Sequence, residues 1–219
     1  MDNYSIWVIL HVLLLVFWLG TDVGVFLSAK YTERSDLSVE TRTIALKIGM
    51  TLDRLPRSAL TLIFPSGLEL ATRMGLLTLP GWALPLVWVI SLGWLVVLWA
   101  GFLRPETPLE KKSMLFNFMM NVIMALLVGG YGLYLLLATD TATWLAVKVV
   151  VTGLVFVTGV MLDVLFKPAV EAFMAILAEG GSAERDARYS KAIGPVYNAV
   201  LMIYALVLVA MVMGISKPF

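Results

Sequence analysis

The chain has 219 residues, of which 60% are hydrophobic and 14% charged, whereas a soluble domain carries about a quarter charged residues. This excludes a soluble globular protein, and apolar runs of the roughly 20 residues needed to cross a bilayer predict an all-α, polytopic membrane helical bundle. The lack of Cys excludes disulfides, thiolate metal sites, iron–sulfur ligation and c-type haem attachment, and the single His excludes an imidazole cluster within one chain. A net charge of +1 without a basic stripe gives no reason to expect a nucleic-acid partner.

Charged residues, Pro and Gly divide the apolar sequence into predicted transmembrane spans of one membrane domain, residues 1–219. The first span is expected to stay as a helix, since it has no basic n-region and continues to Lys30 without a small-residue cleavage site. The six predicted spans are 5–28, 57–78, 82–103, 113–138, 142–166 and 195–216. The loops predicted on the cytoplasmic side are 29–56, 104–112 and 167–194.

The distribution of Lys and Arg predicts the orientation, because cytoplasmic loops near span ends are enriched in these residues. Thirteen cations follow or border spans one, three and five, whereas only Arg73 and Lys217 lie near the opposite surface and Lys148 lies inside a span. Both termini are therefore expected outside, in the periplasm of a multi-pass protein of the bacterial inner (plasma) membrane.

The two longer connecting segments carry patterns of their own. Residues 31–56 place apolar side chains among charges, which predicts a short amphipathic helix along the inner interface. Residues 169–193 are predicted to continue span five, to break at Gly180 and Gly181, and then to form a cytoplasmic loop capped by Ser182.

Ionisable side chains inside a membrane span are costly and are therefore functional candidates. His11 and Lys148 each lie six residues into their spans from the outer side, at a depth of roughly 9 Å. Glu69 lies roughly 12 Å below the same surface, and Arg73 follows it at the i,i+4 spacing of a helical pair. These groups are expected to converge on the outer half of the bundle, whereas Asp22 and Asp163 lie towards the inner end.

His11, Trp18 and Asp22 are spaced by seven and four residues, which places them on one helical face. We expect that face to point into the bundle. Two interpretations of His11 stay open at this point. It is either a ligand or proton carrier, or a packing histidine bonded to a neighbouring Ser, Tyr or carbonyl.

Structural interpretations also exist for the other polar residues. Lys148 either faces the bundle interior or extends its ammonium outward to the headgroups. Glu69 and Arg73 are favoured as a structural ion pair. Asn117 and Asn121, four residues apart, are expected to join helices rather than to bind a substrate.

Four short motifs in spans one, two, five and six resemble those of the HemJ-like membrane protein superfamily. That superfamily includes the protoporphyrinogen oxidase HemJ, CopD-type proteins and related integral membrane proteins. Span one has His11 followed by Trp18 and Gly20, and span two begins DRLPRSALTLIFPSGLEL. Span five opens WLAVK with Lys148 as the lysine, and the last span is preceded by GPVYN and followed by KPF.

The resemblance implies a b-type haem in the bundle, with the family's His and Lys falling on His11 and Lys148. It also implies a redox enzyme that oxidises a protoporphyrinogen-like substrate and passes electrons to quinone or the respiratory chain. The sequence departs from the family by inserting spans three and four into a four-span core. It also lacks the second His after the lysine, where it reads VFVTGVMLDV, which argues against bis-histidine ligation.

The expected haem or porphyrin site has His11 as the iron ligand, with Trp18 on the same face. Arg73 and Lys148 would lie near the propionates. The iron is expected to be five-coordinate, water-ligated, or bound by a Met such as Met74. Met161 is excluded because it lies roughly 20 Å below the level of Lys148.

In the enzymatic version, His11, Lys148 and Glu69 are the catalytic candidates, and Lys148 or Glu69 moves the proton. The expected partners are the lipid bilayer and a porphyrin or another hydrophobic small molecule. A homo-oligomer and a respiratory-chain partner stay open. The alternatives to haem redox chemistry are a CopD-like protein that handles or transports a soft metal ion and a non-catalytic membrane subunit.

Overall fold

The computed structural model describes residues 3–218, and in this range the chain is helical apart from short connections, with no strand. Phe219, the last residue of the KPF motif, lies outside the described residues. The helices are α1 (Asn3–Glu33), α2 (Val39–Leu52), α3 (Arg54–Arg73), α4 (Ala83–Phe102), α5 (Pro108–Ala138), α6 (Thr143–Glu179) and α7 (Ala183–Ser216).

Five of these helices are long and apolar enough to cross a membrane, namely α1, α4, α5, α6 and α7. Their most apolar windows have mean hydropathies between 1.9 and 2.5. The prediction of an all-α bundle compatible with a membrane is therefore confirmed. The helix in the place of predicted span two, α3, is more polar because Arg54, Arg57, Glu69 and Arg73 all lie within it.

The long helices pack in a closed circuit around the interior of the bundle. Successive contacts join α1 to α3, α3 to α4, α4 to α5, α5 to α6 and α6 to α7. The circuit closes through α7 and α1, where the contact is sparse. Polar side chains from different helices can therefore meet inside the ring.

Glycines allow α5 and α6 to approach closely. A Cβ built on Gly132 would lie 2.6 Å from the backbone nitrogen of Val150, and one built on Gly153 would lie 2.5 Å from Cα of Gly129. Small residues at such crossings are typical of membrane helix pairs. This crossing lies next to Lys148 and fixes the part of α6 that faces the interior.

Within 167–194, the predicted continuation of span five is confirmed, because α6 extends to Glu179. The loop predicted after Ser182 is wrong, because α7 begins at Ala183 rather than at 195. Charged residues in this segment suggested a loop, but a helix does not have to end where the membrane ends. The predicted break is confirmed, since Gly180 has φ of 83° and the Ser182 side chain accepts the first bond of α7 from the Arg185 amide.

The short helix predicted within 31–56 is confirmed as α2, capped by Ser38. Its Arg42 is only 1% exposed, although the sequence suggests a loop cation. The guanidinium donates to the Thr32 carbonyl at 2.8 Å and to the Asp186 carboxylate at 2.8 Å. The Thr32 and Tyr189 hydroxyls are also hydrogen-bonded, at 2.6 Å. Arg42 therefore ties the end of α1 and the start of α7 to α2.

Candidate functional site

A cavity of about 310 Å³ lies between α1, α3, α6 and α7, and we call it the His11 cavity. Four of the residues predicted from the sequence line it, namely His11, Trp18, Met74 and Lys148. Most of the remaining lining is apolar, including side chains such as Phe64 and Val149. His11, Trp18 and Lys148, which helical register and depth predicted to lie near one another, therefore share one cavity.

The hydrogen bonds of His11 determine which ring nitrogen is available to a ligand. Nδ1 of His11 lies 2.8 Å from the hydroxyl of Ser66, and that hydroxyl donates to the Ile63 carbonyl at 2.9 Å. A hydroxyl has one proton to donate, so it accepts from Nδ1–H of His11. Nε2 is then the unprotonated nitrogen, with a lone pair for a metal or a donor.

The His11 ring is also positioned by close packing against α3. A Cβ built on Gly67 would lie 3.3 Å from Cε1 of His11, so a larger residue at position 67 would push the ring. Ser66 and Gly67 thus fix both the tautomer and the place of the imidazole. This is the arrangement in which a hydrogen-bonded partner orients a metal-ligating histidine.

The ammonium of Lys148 lies against α7. A Cβ built on Gly214 would lie 2.5 Å from Nζ of Lys148, so a larger residue at position 214 would move the ammonium. Among the described residues, no ion pair or hydrogen bond engages that ammonium. Lys217 also lines the cavity, with Nζ 5.6 Å from the ring centroid of Trp144.

Two thioether side chains also line the cavity. Met74 lies at the end of α3, and Met211 lies in α7. Met161, which the sequence excludes as a ligand on grounds of depth, is 51% exposed and does not line the cavity.

Glu69 and Arg73 are not among the residues that line the His11 cavity. Nε of Arg73 donates to the Glu69 carboxylate at 2.7 Å, and Glu69 is buried. The guanidinium also lies 5.7 Å from the ring centroid of Trp7. The two residues form the ion pair that the sequence favours as structural, and the structure does not bring them to Lys148 or His11.

Asp22 and Asp163 line a second cavity, of about 660 Å³, which we call the Asp22 cavity. Arg57 lies between Asp163 and Asp53 there, at 3.2 Å and 2.6 Å from their carboxylate oxygens. The two cavities share no lining residue.

Three residues were missed as site residues, namely Lys217 and Met211, which line the His11 cavity, and Ser66, which contacts His11. Ser66 and Lys217 lie inside motifs quoted for the family resemblance, SGLEL and KPF, but neither spacing nor depth gives them a role. Met211 is one of twelve Met residues and carries no signal in the sequence. Asn117, expected to join helices, accepts a bond from the Trp94 indole at 3.1 Å and so links α5 to α4.

The fold and the site define the chain as an α-helical protein with membrane-compatible spans and an interior histidine cavity. Comparisons with protein-family models, with curated proteins and with solved structures give no match.

Proposed function

We propose that this chain is a six-span membrane protein that binds b-type haem or a related porphyrin in the His11 cavity and acts in membrane redox chemistry. The observation that carries the proposal is the state of His11. Its Nδ1 donates to Ser66, which leaves Nε2 as the donor atom in a largely apolar cavity. The resemblance to the HemJ-like superfamily points to the same residue.

The donor set of the cavity fits a haem. An imidazole and a thioether, His11 and Met74, are known types of axial ligand for haem iron. Lys148 and Lys217 add cations of the kind that pair with propionates. Apolar walls favour the ring itself.

The size of the cavity adds a condition to the proposal. A volume of about 310 Å³ is at the small end of the roughly 300–1,000 Å³ of small-molecule sites. The contact between α1 and α7 is sparse, and Ile215, which lines the cavity on α7, is 75% exposed. A porphyrin therefore needs the opening between α1 and α7 as well as the enclosed space, and would enter from the bilayer.

A bound haem would supply one-electron chemistry, with a quinone or a respiratory-chain protein as the acceptor. The chain's own residues hold and orient the ligand. Ser66 fixes the His11 tautomer, and Lys148 binds a carboxylate or takes the proton that oxidation of the substrate releases. We assign this role to Lys148 rather than to Glu69, because the Glu69 carboxylate is already engaged by Arg73.

We also propose that α3 is the sixth span and that both termini lie outside, in the periplasm of a bacterial inner membrane. The start of α3 lines the Asp22 cavity together with the end of α1, and its end lines the His11 cavity together with the start of α1. Its 20 residues extend about 30 Å, the thickness of the hydrocarbon core. The charges of α3 lie near its two ends, and the one deep in it, Glu69, is paired.

The test of the haem proposal is an absorption spectrum of the protein purified in detergent, before and after addition of haemin. We expect a Soret band that saturates at one haem per chain. A protein that stays colourless and leaves the spectrum of added haemin unchanged would contradict the proposal.

A specific observation favours a second candidate, a protein that handles a soft metal ion. His11, Met74 and Met211 line one cavity, and imidazole with thioether ligands suits Cu(I). Metal analysis after incubation with Cu(I) separates the two. Stoichiometric copper that is lost in Met74→Leu and Met211→Leu, without a Soret band, would favour this alternative.

A further inference from the structure

The Asp22 cavity is the larger of the two and has no role in the proposed redox chemistry. All seven helices contribute to its lining, and its volume is about 660 Å³, well within the roughly 300–1,000 Å³ of small-molecule sites. None of its lining residues lines the His11 cavity. It is therefore a separate place where a small molecule can bind.

The carboxylate of Asp22 has no ion-pair partner in the described lining of this cavity. The neighbouring cation, Arg57, pairs with Asp53 and Asp163, so that Asp22 is attracted by Arg57 and repelled by Asp53. Among the described residues, Asp22 makes no ion pair, although the Tyr204 hydroxyl lies beside it. An unpaired carboxylate in a largely apolar cavity needs a cationic partner to offset its desolvation.

Carboxylates outnumber cations in the lining of this cavity. Four carboxylates line it, those of Asp22, Asp53, Glu110 and Asp163, against three cations. Of the cations other than Arg57, Arg54 lies over the ring of the lining residue Phe102, at 5.6 Å from its centroid, and Lys167 is exposed. The cavity therefore has a net negative charge.

Asn117 provides an uncommitted polar group. Its side chain is 3% exposed and lines the cavity. Its Oδ1 accepts from the Trp94 indole, which fixes the orientation of the amide. Nδ2 then has no partner among the described residues, and a buried amide left in this state needs a ligand or water to bond.

Aromatic rings from several helices form much of the remaining wall. Cations are attracted to the faces of such rings, and recognition of ammonium groups commonly combines them with a carboxylate. Nζ of Lys30 already lies 3.5 Å from the ring centroid of Tyr197 and 5.9 Å from that of Phe26, so a ligand would use the other rings. The lining rings are Phe26, Phe102, Phe118, Phe166, Tyr189 and Tyr197.

We propose that the Asp22 cavity binds an organic cation, an amine or quaternary onium group on an apolar body, with Asp22 as its counter-ion and the aromatic rings around it. The Nδ2 amide of Asn117 would donate to an oxygen of the ligand where it has one. The proposal does not depend on haem binding in the His11 cavity.

The test uses two probes of matching shape and opposite charge, tetraphenylphosphonium and tetraphenylborate. Binding to the protein in lipid nanodiscs is measured by equilibrium dialysis, with empty nanodiscs to subtract partition into lipid. We expect saturable binding of the phosphonium at one site per chain and at least about tenfold weaker binding of the borate. Equal binding of both probes, or tighter binding of the borate, would overturn the proposal without use of any variant.

Variants then locate the site. Asp22→Asn should weaken phosphonium binding at least about tenfold, whereas Asp22→Glu should retain it. Glu171→Gln removes an exposed carboxylate of α6 outside the cavity and should change nothing. Unchanged binding in Asp22→Asn would overturn the assignment. His11→Ala should leave phosphonium binding intact, and Asp22→Asn should leave any Soret band intact, so failure of one proposal is distinguishable from failure of the other.

Discussion

His11 and Ser66, 55 residues apart in the chain, are joined by a hydrogen bond of 2.8 Å between Nδ1 and the hydroxyl. This bond links α1 to α3 and fixes the tautomer in which Nε2 is free. The bond is compatible with both interpretations of His11 that the sequence left open, a packing histidine and a ligand. A histidine bonded to a serine is a packed side chain, and the same bond is what a ligating imidazole requires.

Loss of the Ser66 hydroxyl should weaken the ligand site without unfolding the protein. In Ser66→Ala, His11 loses its acceptor and can adopt either tautomer, so we expect haem affinity to fall about 10- to 100-fold. Haem titration followed at the Soret band measures this. Ser216→Ala, which removes an exposed hydroxyl from α7, is the matched control. Equal affinities of Ser66→Ala and the wild type would show that the hydroxyl does not support a ligand.

A substitution in α7 tests where the Lys148 ammonium lies. Gly214→Ala puts a methyl group where Nζ lies and should displace the ammonium. A lost charge-assisted bond of about 1.5–3 kcal/mol predicts roughly 10- to 100-fold weaker binding of haem. Haem dimethyl ester, which lacks free carboxylates, should bind the wild type and Gly214→Ala with equal affinity.

The control for this variant is Gly194→Ala, because a Cβ at Gly194 meets no described atom within 4 Å. An equal loss of affinity for the acid and the ester would mean that Gly214→Ala only deforms the cavity. The carboxylate role of Lys148 would then be contradicted.

The contacts of Arg42 with Thr32 and Asp186 should dominate the stability of that end of the bundle. Arg42→Ala leaves the partly buried Asp186 carboxylate without its partner, which predicts destabilisation by about 3–5 kcal/mol. Arg34→Ala breaks an exposed ion pair with Asp36 and should lower the free energy of unfolding far less, because water screens that pair. Free energies of unfolding in mixed micelles compare the two variants. Equal losses of unfolding free energy in Arg42→Ala and Arg34→Ala would show that burial does not strengthen the contacts of Arg42.

The number of spans can be tested by reporter fusions. If α3 crosses the membrane, alkaline phosphatase fused after residue 80 or 140 should be active, and fused after residue 109 or 181 inactive. A fusion after residue 53 should be inactive as well, which tests α3 directly against residue 80. The same activity at 53 and 80 would show that α3 does not cross.

The sequence predicted the all-helical class and three residues of the His11 cavity for a physical reason. The period of a helix and the depth of each residue place His11, Trp18 and Lys148 without knowledge of how helices pack. Contacts between helices depend on packing, so the partnership of Ser66 with His11 and the place of Met211 could not be predicted. Arg42 looked like a loop cation because the segment that covers it, at the start of α7, is distant in sequence and is itself charged.

The central claim is that Nε2 of His11 binds the iron of a haem, and His11→Gly tests it most directly. This variant removes the imidazole and leaves a space that free imidazole can fill. We predict that His11→Gly loses the Soret band of the wild type and that addition of imidazole restores it, whereas Ser216→Ala is unaffected. A Soret band that survives in His11→Gly without imidazole, or a wild-type protein that never shows one, would contradict ligation of haem by His11.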